Sequence, residues 1–426
     1  MNIKPENMRS SVVDRKYLIP FILVTSMFFM WGLANNMTDT LLAAFKRIMS
    51  MTDFQTSWIQ VAFYGSYFCL ALPAAIFIRK FTYKSGILLG LGFFILGALL
   101  FYPASQTMVY GHFLTALFIL AGGLSVLETT ANPYILAMGS EENSVQRLNL
   151  AQAFNPIGSI TGVILSKFFI LEHLNTADAT TRAGLSPEEL TIMQQQELSA
   201  VMGPYVGVAL LLLVIWIIIA TIKMPSFSNL EESLNIRDSL KNLLSNSNYK
   251  WGVVAQFFYV GAQIGVWSYT IRYVMAELSL DESGASNYYL AALILFTVMR
   301  FAFTGLLKRF RGSILLIWSA FVAVVFLLLV IFVGGFAGVL ALVGISGCMS
   351  LMFPTIFGLA SKGLGRDRKI AGSGLIMAIL GGAVLTAIQG QVSDITGSIH
   401  LSFFIPLICF LVVAYFGFSN RKMTIA

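Results

Sequence analysis

The stretch LFILAGGLSVLETTANPYILAMG, from Leu117 to Gly139, is apolar enough to span a membrane but contains one acid, Glu128. A second stretch, FFMWGLANNMTDTLLAAF from Phe28 to Phe45, repeats the pattern with Asp39. A charge in hydrocarbon costs about 2.5–3.5 kcal/mol on insertion scales, so intramembrane acids usually face a polar cavity and serve a function. Because these two acids are the ones well inside the apolar segments, they predict a proton-coupled membrane transporter.

The composition of the whole chain supports a membrane protein. Hydrophobic residues make up 57% of the 426 residues, charged residues only 11%, and the mean hydropathy is +0.80. Soluble domains carry about 25% charged residues, so the lipid bilayer is the expected solvent. The net charge of +7 does not indicate nucleic acid, because the basic residues are spread between apolar segments and suit cytoplasmic loops.

Apolar runs long enough to cross a bilayer recur along the chain, and about 20 residues are needed for each crossing. We predict an all-α membrane protein with twelve transmembrane helices. The predicted spans are 17–40, 57–78, 86–103, 110–138, 147–171, 202–222, 250–276, 286–307, 313–334, 336–360, 370–393 and 399–419.

The distribution of basic residues predicts the orientation. If the amino terminus is cytoplasmic, most of the 27 lysines and arginines fall in inner segments. The positive-inside rule therefore places both termini in the cytoplasm, and we expect a multi-pass protein of the cell inner membrane.

The longest polar stretch divides the chain into two parts. We predict an N-terminal six-helix half at 1–222, a cytoplasmic linker at 223–250 and a C-terminal six-helix half at 251–426. Weak repetition relates the halves, since RKFTYKSGILL (79–89) and KRFRGSILL (308–316) follow the second and the eighth span. Two pseudo-symmetric six-helix halves are the major facilitator fold, in which the substrate binds between the halves near the midplane.

A second polar insertion precedes the sixth span. It contains SPEELTIMQQQEL, which begins with Ser186 at an N-cap position and Pro187 in the first turn. This pattern predicts a short surface helix.

Amides share helix faces with the two acids. Asn36 lies three residues before Asp39, and Gln152 and Asn155 lie three apart on the fifth span. An amide offers both a donor and an acceptor, which suits sugar hydroxyls. The alternative is that these amides only join helices, at about 0.6 kcal/mol a pair; several amides beside two carboxylates favour binding.

The seventh span carries a mixed amide and aromatic stripe. Gln256, Tyr259, Gln263 and Trp267 recur at three or four residues and so share one face. An aromatic ring beside amides suits a pyranose, which has apolar C–H faces and polar edges. For Trp267 the alternative of an aromatic belt at the membrane interface stays open.

Two arginines have structural interpretations. Arg147 follows Glu141 and Glu142 and is expected to form an ion pair in the loop before the fifth span. Arg300, near the inner end of the eighth span, is expected to extend its charged head to the membrane surface.

Other classes of function lack their motifs. The chain contains no Gly-Lys-Ser nucleotide loop and no nucleophile elbow, which disfavours an ATP-driven pump and a hydrolase. Its cysteines and histidines have no metal-ligand spacing. We therefore expect no enzyme activity, no catalytic residue, no cofactor and no metal.

Several motifs resemble one family. The chain is similar to the fucose–galactose–glucose–proton symporter group of the major facilitators, and within it to the bacterial L-fucose–proton symporters. The matching motifs occur in the family's order and are NNMTD (35–39), FYGSYF (63–68), YKSGI (83–87), LETTANPY (127–134), RLNLAQAFN (147–155), AQFFYVGAQ (255–263), WSYTIRY (267–273) and PTIFGL (354–359).

The resemblance implies a monomeric inner-membrane symporter that takes up a hexose with a proton. It implies that Glu128 carries the coupling proton together with Asp39, and that Asn36, Gln152 and Asn155 line the sugar cavity. The chain departs from the fucose transporters at Phe353, where they have tyrosine, and at Pro156, directly after Asn155.

The expected function is proton-coupled uptake of L-fucose by alternating access of the two halves. Other sugars of the group, namely glucose, galactose and N-acetylglucosamine, are the first alternative. A membrane sugar sensor would be expected to carry a longer cytoplasmic extension, and an uncoupled facilitator would not need the intramembrane acids. The sugar's methyl group would need an apolar niche, which Phe353 or Trp267 can supply.

Overall fold

The computed structural model describes residues 11–48, 53–169, 182, 184–227 and 236–421, and these residues form helices and connections without strands. The α-helices are α1 (Leu18–Ile48), α2 (Asp53–Lys80), α3 (Tyr83–Thr107), α4 (Tyr110–Ala137), α5 (Ser144–Gln152), α6 (Phe154–Phe169), α7 (Pro187–Thr221), α8 (Ile236–Ser245), α9 (Ser247–Leu278), α10 (Glu282–Leu306), α11 (Gly312–Phe332), α12 (Gly335–Met349), α13 (Met352–Ala360), α14 (Arg368–Met377), α15 (Gly381–Thr396), α16 (Ile399–Ser402) and α17 (Phe404–Ser419).

Ten helical segments within the described residues are long and apolar enough to cross a membrane. The other two predicted spans coincide with helices as well: 147–171 with α5 and α6, and 250–276 with α9. The predicted all-α fold of twelve transmembrane helices in two halves is confirmed. The predicted bounds of the two halves and the linker stay a prediction, on which helices α1 to α7 belong to the N-terminal half, α9 to α17 belong to the C-terminal half, and α8 lies between them in sequence.

Close backbone contacts join α1 to α6 within the N-terminal half. A β-carbon built on Gly158 would lie 1.9 Å from the carbonyl oxygen of Phe29, and one on Gly162 would lie 2.4 Å from that of Leu33. Membrane helices pack tightly where small residues let their backbones approach, because lipid supplies no hydrophobic force between them. These glycines therefore hold the broken fifth span against the first.

The predicted short surface helix is wrong in its length. Ser186 forms a capping box with Glu189, as the sequence indicated, and Pro187 begins the helix. The helix then continues to Thr221 without a break, because the polar first turns lead directly into the apolar sixth span. Surface segment and span are thus one helix, α7.

The predicted ion pair of Arg147 in a loop is also wrong. Arg147 is fully buried, and its guanidinium donates to the carbonyl oxygens of Ile135, Leu136, Ser140 and Val12. The last carbonyls of a helix lack partners within the helix, and a cation there also interacts favourably with the helix dipole. Arg147 therefore caps the end of α4 and, through its bond to the Val12 carbonyl oxygen, holds the segment before α1 against that end.

One set of contacts between the described residues of the two halves lies at one end of the bundle. We call this the linker end; there α2 ends at Lys80 and α14 begins at Arg368. The Glu141 carboxylate pairs with Arg368 at 2.9 Å, and the Gln146 amide donates to the Thr304 carbonyl oxygen at 3.2 Å. These contacts hold the linker end closed.

Candidate functional site

Glu128 lies in the middle of α4 and is only 4% exposed. The Tyr67 hydroxyl of α2 donates to its Oε1 atom over 2.9 Å. Tyr67 is fixed in turn, because the Ser125 hydroxyl of α4 donates to its carbonyl oxygen at 3.1 Å. Burial disfavours the charged form of a carboxyl group. A buried carboxyl whose partner is a hydroxyl is suited to carry a proton.

A second polar pair lies one helical turn from Glu128. Asn132 shares the face of Glu128 on α4, since four residues separate them. The Gln152 amide nitrogen at the end of α5 donates to the Asn132 Oδ1 atom over 2.8 Å. The Asn132 amide nitrogen has no hydrogen-bond partner among the described residues. Buried polar atoms are nearly always satisfied, so this amide is a candidate ligand for a hydroxyl.

The other N-terminal candidates lie near the contact of α1 with α6. The Asn155 amide nitrogen donates to the Phe28 carbonyl oxygen at 3.2 Å, and that of Asn36 to the Gly32 carbonyl oxygen at 3.2 Å. Both side chains are half-buried. Helix α1 contains Asp39, but its side chain lies outside the described residues, so its role in coupling stays a prediction.

The stripe on α9 faces α12 and α13. The Tyr259 hydroxyl donates to the Met349 carbonyl oxygen at 3.0 Å, and Tyr259 meets the ring of Phe353 edge-on at 6.4 Å. The Trp267 indole nitrogen donates to the Ser346 hydroxyl at 3.2 Å. Trp267 thus makes a specific interhelical contact, which supports a place inside the bundle rather than in an interface belt.

The two glutamines of this stripe differ. Gln256 is fully buried, and neither atom of its amide has a hydrogen-bond partner in the described part of the chain. Gln263 is half-buried. Gln256 is the stronger candidate for a group whose partner arrives with a substrate, because burying an unpaired amide is costly.

The predicted extension of Arg300 to the membrane surface is wrong. Arg300 is 4% exposed, and its guanidinium lies 4.7 Å from the ring centre of Phe296. It donates to the carbonyl oxygens of Ser350 in its own half and of Gln152 in the other half. The side chain therefore points into the bundle, because carbonyls there supply acceptors that the lipid face lacks.

Sequence reasoning missed several of these groups. Tyr67 lies inside a motif of the resemblance but gave no signal of its own, since tyrosine is common in membrane helices. Gln389 of α15 was also missed; it is fully buried, and no described residue is a hydrogen-bond partner of its amide. The signal that could have identified Gln389 was an amide side chain within an apolar span. Gln256 had been selected for the same reason.

Replacing Asn155 by alanine tests whether this residue binds sugar or only joins helices. We expect sugar affinity to fall roughly ten- to hundredfold, because losing an amide that pairs with a buried hydroxyl costs about 1–3 kcal/mol. Calorimetric titration beside a thermal melt measures both effects. If the melting temperature falls while affinity is unchanged, Asn155 only joins α6 to α1.

Asn420→Ala is the matched control for this substitution. The Asn420 amide also donates to a backbone carbonyl, that of Phe416 at 3.0 Å, but it lies at the end of α17. Its loss should lower the melting temperature and leave sugar affinity unchanged.

A family model described as Major Facilitator Superfamily matches residues 21–387. The chain belongs to this superfamily, and its relatives are named transporters rather than enzymes. It is 38% identical to the L-fucose-proton symporter of Haemophilus influenzae over 98% of this chain and 100% of that protein. It is 32% identical to the glucose/galactose transporter of Brucella abortus over 96% of each chain.

One solved structure is similar over nearly the whole chain. A crystal structure of a major facilitator superfamily transporter, FucP, in the outward conformation superposes with a TM-score of 0.90. The two sequences are 38% identical, and the match covers 96% of this chain and 100% of the other. The arrangement of helices described above is therefore that of a known transporter fold.

Proposed function

We propose that this protein takes up L-fucose together with a proton by alternating access. The observation that carries the proposal is the buried Glu128 carboxyl with its Tyr67 partner, one turn from the Asn132–Gln152 amide pair. A group that holds a proton thus lies beside groups that suit sugar hydroxyls. The name of the Haemophilus influenzae relative, which is similar over its whole length, supports both the sugar and the coupling ion.

Each candidate residue has a role in this proposal. Glu128, with Asp39, exchanges the coupling proton. The N-terminal half supplies amides to the sugar, and the C-terminal half supplies the aromatic surface and further amides. The proposed sugar ligands are Asn36, Gln152, Asn155, Gln256, Tyr259, Gln263, Trp267 and Phe353.

Sugar and proton bind together for an electrostatic reason. When Glu128 is neutral, closing the site around the sugar does not bury an uncompensated charge, which would be costly. Moving one proton down about 100 mV supplies about 2.3 kcal/mol. That energy supports roughly fifty-fold accumulation of sugar before any pH gradient is added.

We further propose that the termini and the linker lie in the cytoplasm of an inner-membrane protein that acts as a monomer. The basic residues near the linker end support this orientation. With the linker end closed by contacts such as Glu141–Arg368, the conformation would be outward-facing. The monomer is proposed from the resemblance to the fucose–galactose–glucose–proton symporter group.

A sister sugar is the second candidate substrate. The Brucella abortus relative is named a glucose/galactose transporter, and Phe353 replaces the tyrosine of the fucose transporters that this chain resembles. The proton-coupled mechanism does not depend on which hexose is carried.

Uptake into proteoliposomes tests the proposal. A panel of radiolabelled hexoses is tested in sodium-free buffer, with and without an imposed gradient that is acid outside. We expect L-fucose to accumulate only with the gradient, and sugar addition to lightly buffered cells to alkalinise the medium. Uptake that requires sodium and produces no pH change would overturn proton coupling.

A further inference from the structure

Arg300 is a buried cation in the bundle that the proposed sugar and proton chemistry leaves unused. Among the described residues, no aspartate or glutamate forms an ion pair with it. Charged residues within membrane segments are rare and usually functional. Its acceptors, the backbone carbonyl oxygens of Gln152 and Ser350, explain why it lies where it does.

Both carbonyls are freed by prolines. In a continuous helix the carbonyl of each residue accepts the N–H of the residue four positions later, and proline has no N–H. Pro156 follows Gln152 by four residues, and Pro354 follows Ser350 by four. The fifth and tenth spans are each interrupted at this point, between α5 and α6 and between α12 and α13.

The electrostatics of the two interruptions also attract a cation. Gln152 is the last residue of α5, and Ser350 directly follows the last residue of α12. The C-terminal end of a helix carries partial negative charge. Inside a membrane a freed carbonyl must find another donor, and one planar guanidinium can serve two carbonyls at once.

The two acceptors lie in different halves. Arg300 and Ser350 both belong to the C-terminal half and move together, whereas Gln152 belongs to the N-terminal half. The Arg300–Gln152 bond of 3.2 Å therefore exists only while the halves are closed at this level. We propose that Arg300 is the positioning residue that closes the linker end, by donating across the halves to the carbonyl that Pro156 frees.

The closure also affects the candidate sugar site. Gln152 presents its carbonyl to Arg300 and its side-chain amide to Asn132. When the linker end opens, the Gln152 carbonyl loses the Arg300 donor. The orientation of the Gln152 side-chain amide, which contacts Asn132, therefore changes together with closure. This inference rests on the proposed alternating-access cycle and assigns a residue to its closing step.

The reporter for closure is a cysteine at Val145, introduced after Cys69, Cys348 and Cys409 are replaced by alanine. Val145 is 6% exposed, and its side chain packs across the halves against Gly358 and Gly312. A maleimide reagent should modify this cysteine only when the linker end opens. The full-length protein in detergent is labelled without sugar and without a proton gradient.

We expect Arg300→Lys and Arg300→Met each to raise the labelling rate roughly ten- to hundredfold, the equilibrium effect of losing a hydrogen bond to a charged group. Lysine keeps the charge but lacks the planar fork that serves both carbonyls. Arg309→Met is the control, because Arg309 is an exposed arginine shortly after α10, the helix that contains Arg300. It should leave the labelling rate unchanged. Unchanged labelling in both Arg300 variants would overturn the inference.

A second measurement tests the role of the prolines. If freed carbonyls explain the position of Arg300, then adding Pro156→Ala and Pro354→Ala to Arg300→Met should restore melting temperature, because each alanine returns the missing N–H. Labelling should stay high, because the bond across the halves is still absent. Failure of the alanines to restore melting temperature would contradict the carbonyl explanation.

These outcomes are separate from failure of the proposed function. If the wild-type protein transports no hexose but the Arg300 variants label faster, the sugar-symport proposal fails and the closing role of Arg300 stands. If the wild type accumulates L-fucose and labelling does not depend on Arg300, only the inference fails.

Discussion

Glu128→Gln is expected to abolish sugar accumulation while leaving exchange of sugar across the membrane intact. The glutamine resembles a permanently protonated glutamate, and its carbonyl oxygen can still accept the Tyr67 hydroxyl that now donates to Glu128 over 2.9 Å. Sugar binding and occlusion should therefore persist. Without the Glu128 carboxyl, which Asp39 does not replace, the coupling proton is not released inside, and the roughly fifty-fold accumulation supported by about 100 mV should vanish.

Two assays on the same proteoliposomes separate these effects. Uptake driven by a proton gradient measures accumulation, and counterflow of labelled against unlabelled sugar measures exchange. Glu188→Gln is the matched control, because it makes the same substitution at an exposed acid in the first turn of α7; it should accumulate sugar like the wild type. If Glu128→Gln also concentrates sugar normally, another residue carries the coupling proton.

L-Fucose is expected to be the preferred sugar, with an affinity that exceeds that of L-galactose by up to about 10²-fold. The two sugars differ only in a hydroxyl group at C6, which fucose lacks. A methyl group needs an apolar niche, and such a niche rejects an added hydroxyl only weakly, by about 10²-fold. Phe353, half-buried beside Tyr259, is the proposed wall of that niche. Galactose and arabinose should compete only weakly at high excess.

Competition for uptake of labelled L-fucose measures this preference. In Phe353→Ala the preference for L-fucose over L-galactose, measured as the ratio of their affinities, should decrease. The apolar wall is lost in this variant, whereas the amides remain. Glucose or N-acetylglucosamine displacing label better than L-fucose does would contradict the sugar assignment. The hexose–proton symport would then still stand, with a substrate nearer to that of the sister transporters.

The membrane-spanning architecture could be predicted almost completely from the sequence. In lipid each backbone polar group must be satisfied within the segment, so a long apolar run has to be a helix. Local chemistry was equally readable at Ser186, where the capping box forms as its residues indicate. The error there concerned length, since a window of polar residues does not show that a helix continues into the next apolar run.

Candidate residues could be predicted where the residue type alone marks them, as a polar side chain does in an apolar span. Glu128 and Gln256 were selected because polar side chains are costly in a span, and both are buried in the structure. Their partners were not predictable. Tyr67 is 61 residues from Glu128 along the chain, and only helix packing places its hydroxyl against that carboxyl.

The sequence by itself determined the spans, the acids and amides within them, and the positions of Pro156 and Pro354, whose missing N–H groups each free a carbonyl four residues earlier. The tertiary structure alone decided which donors meet those carbonyls. Arg300 lies 148 residues from Gln152, and from its position near a span end it was expected to reach the membrane surface. It turns inward because two carbonyls at helix ends, one from each half, offer its charge acceptors that lipid cannot.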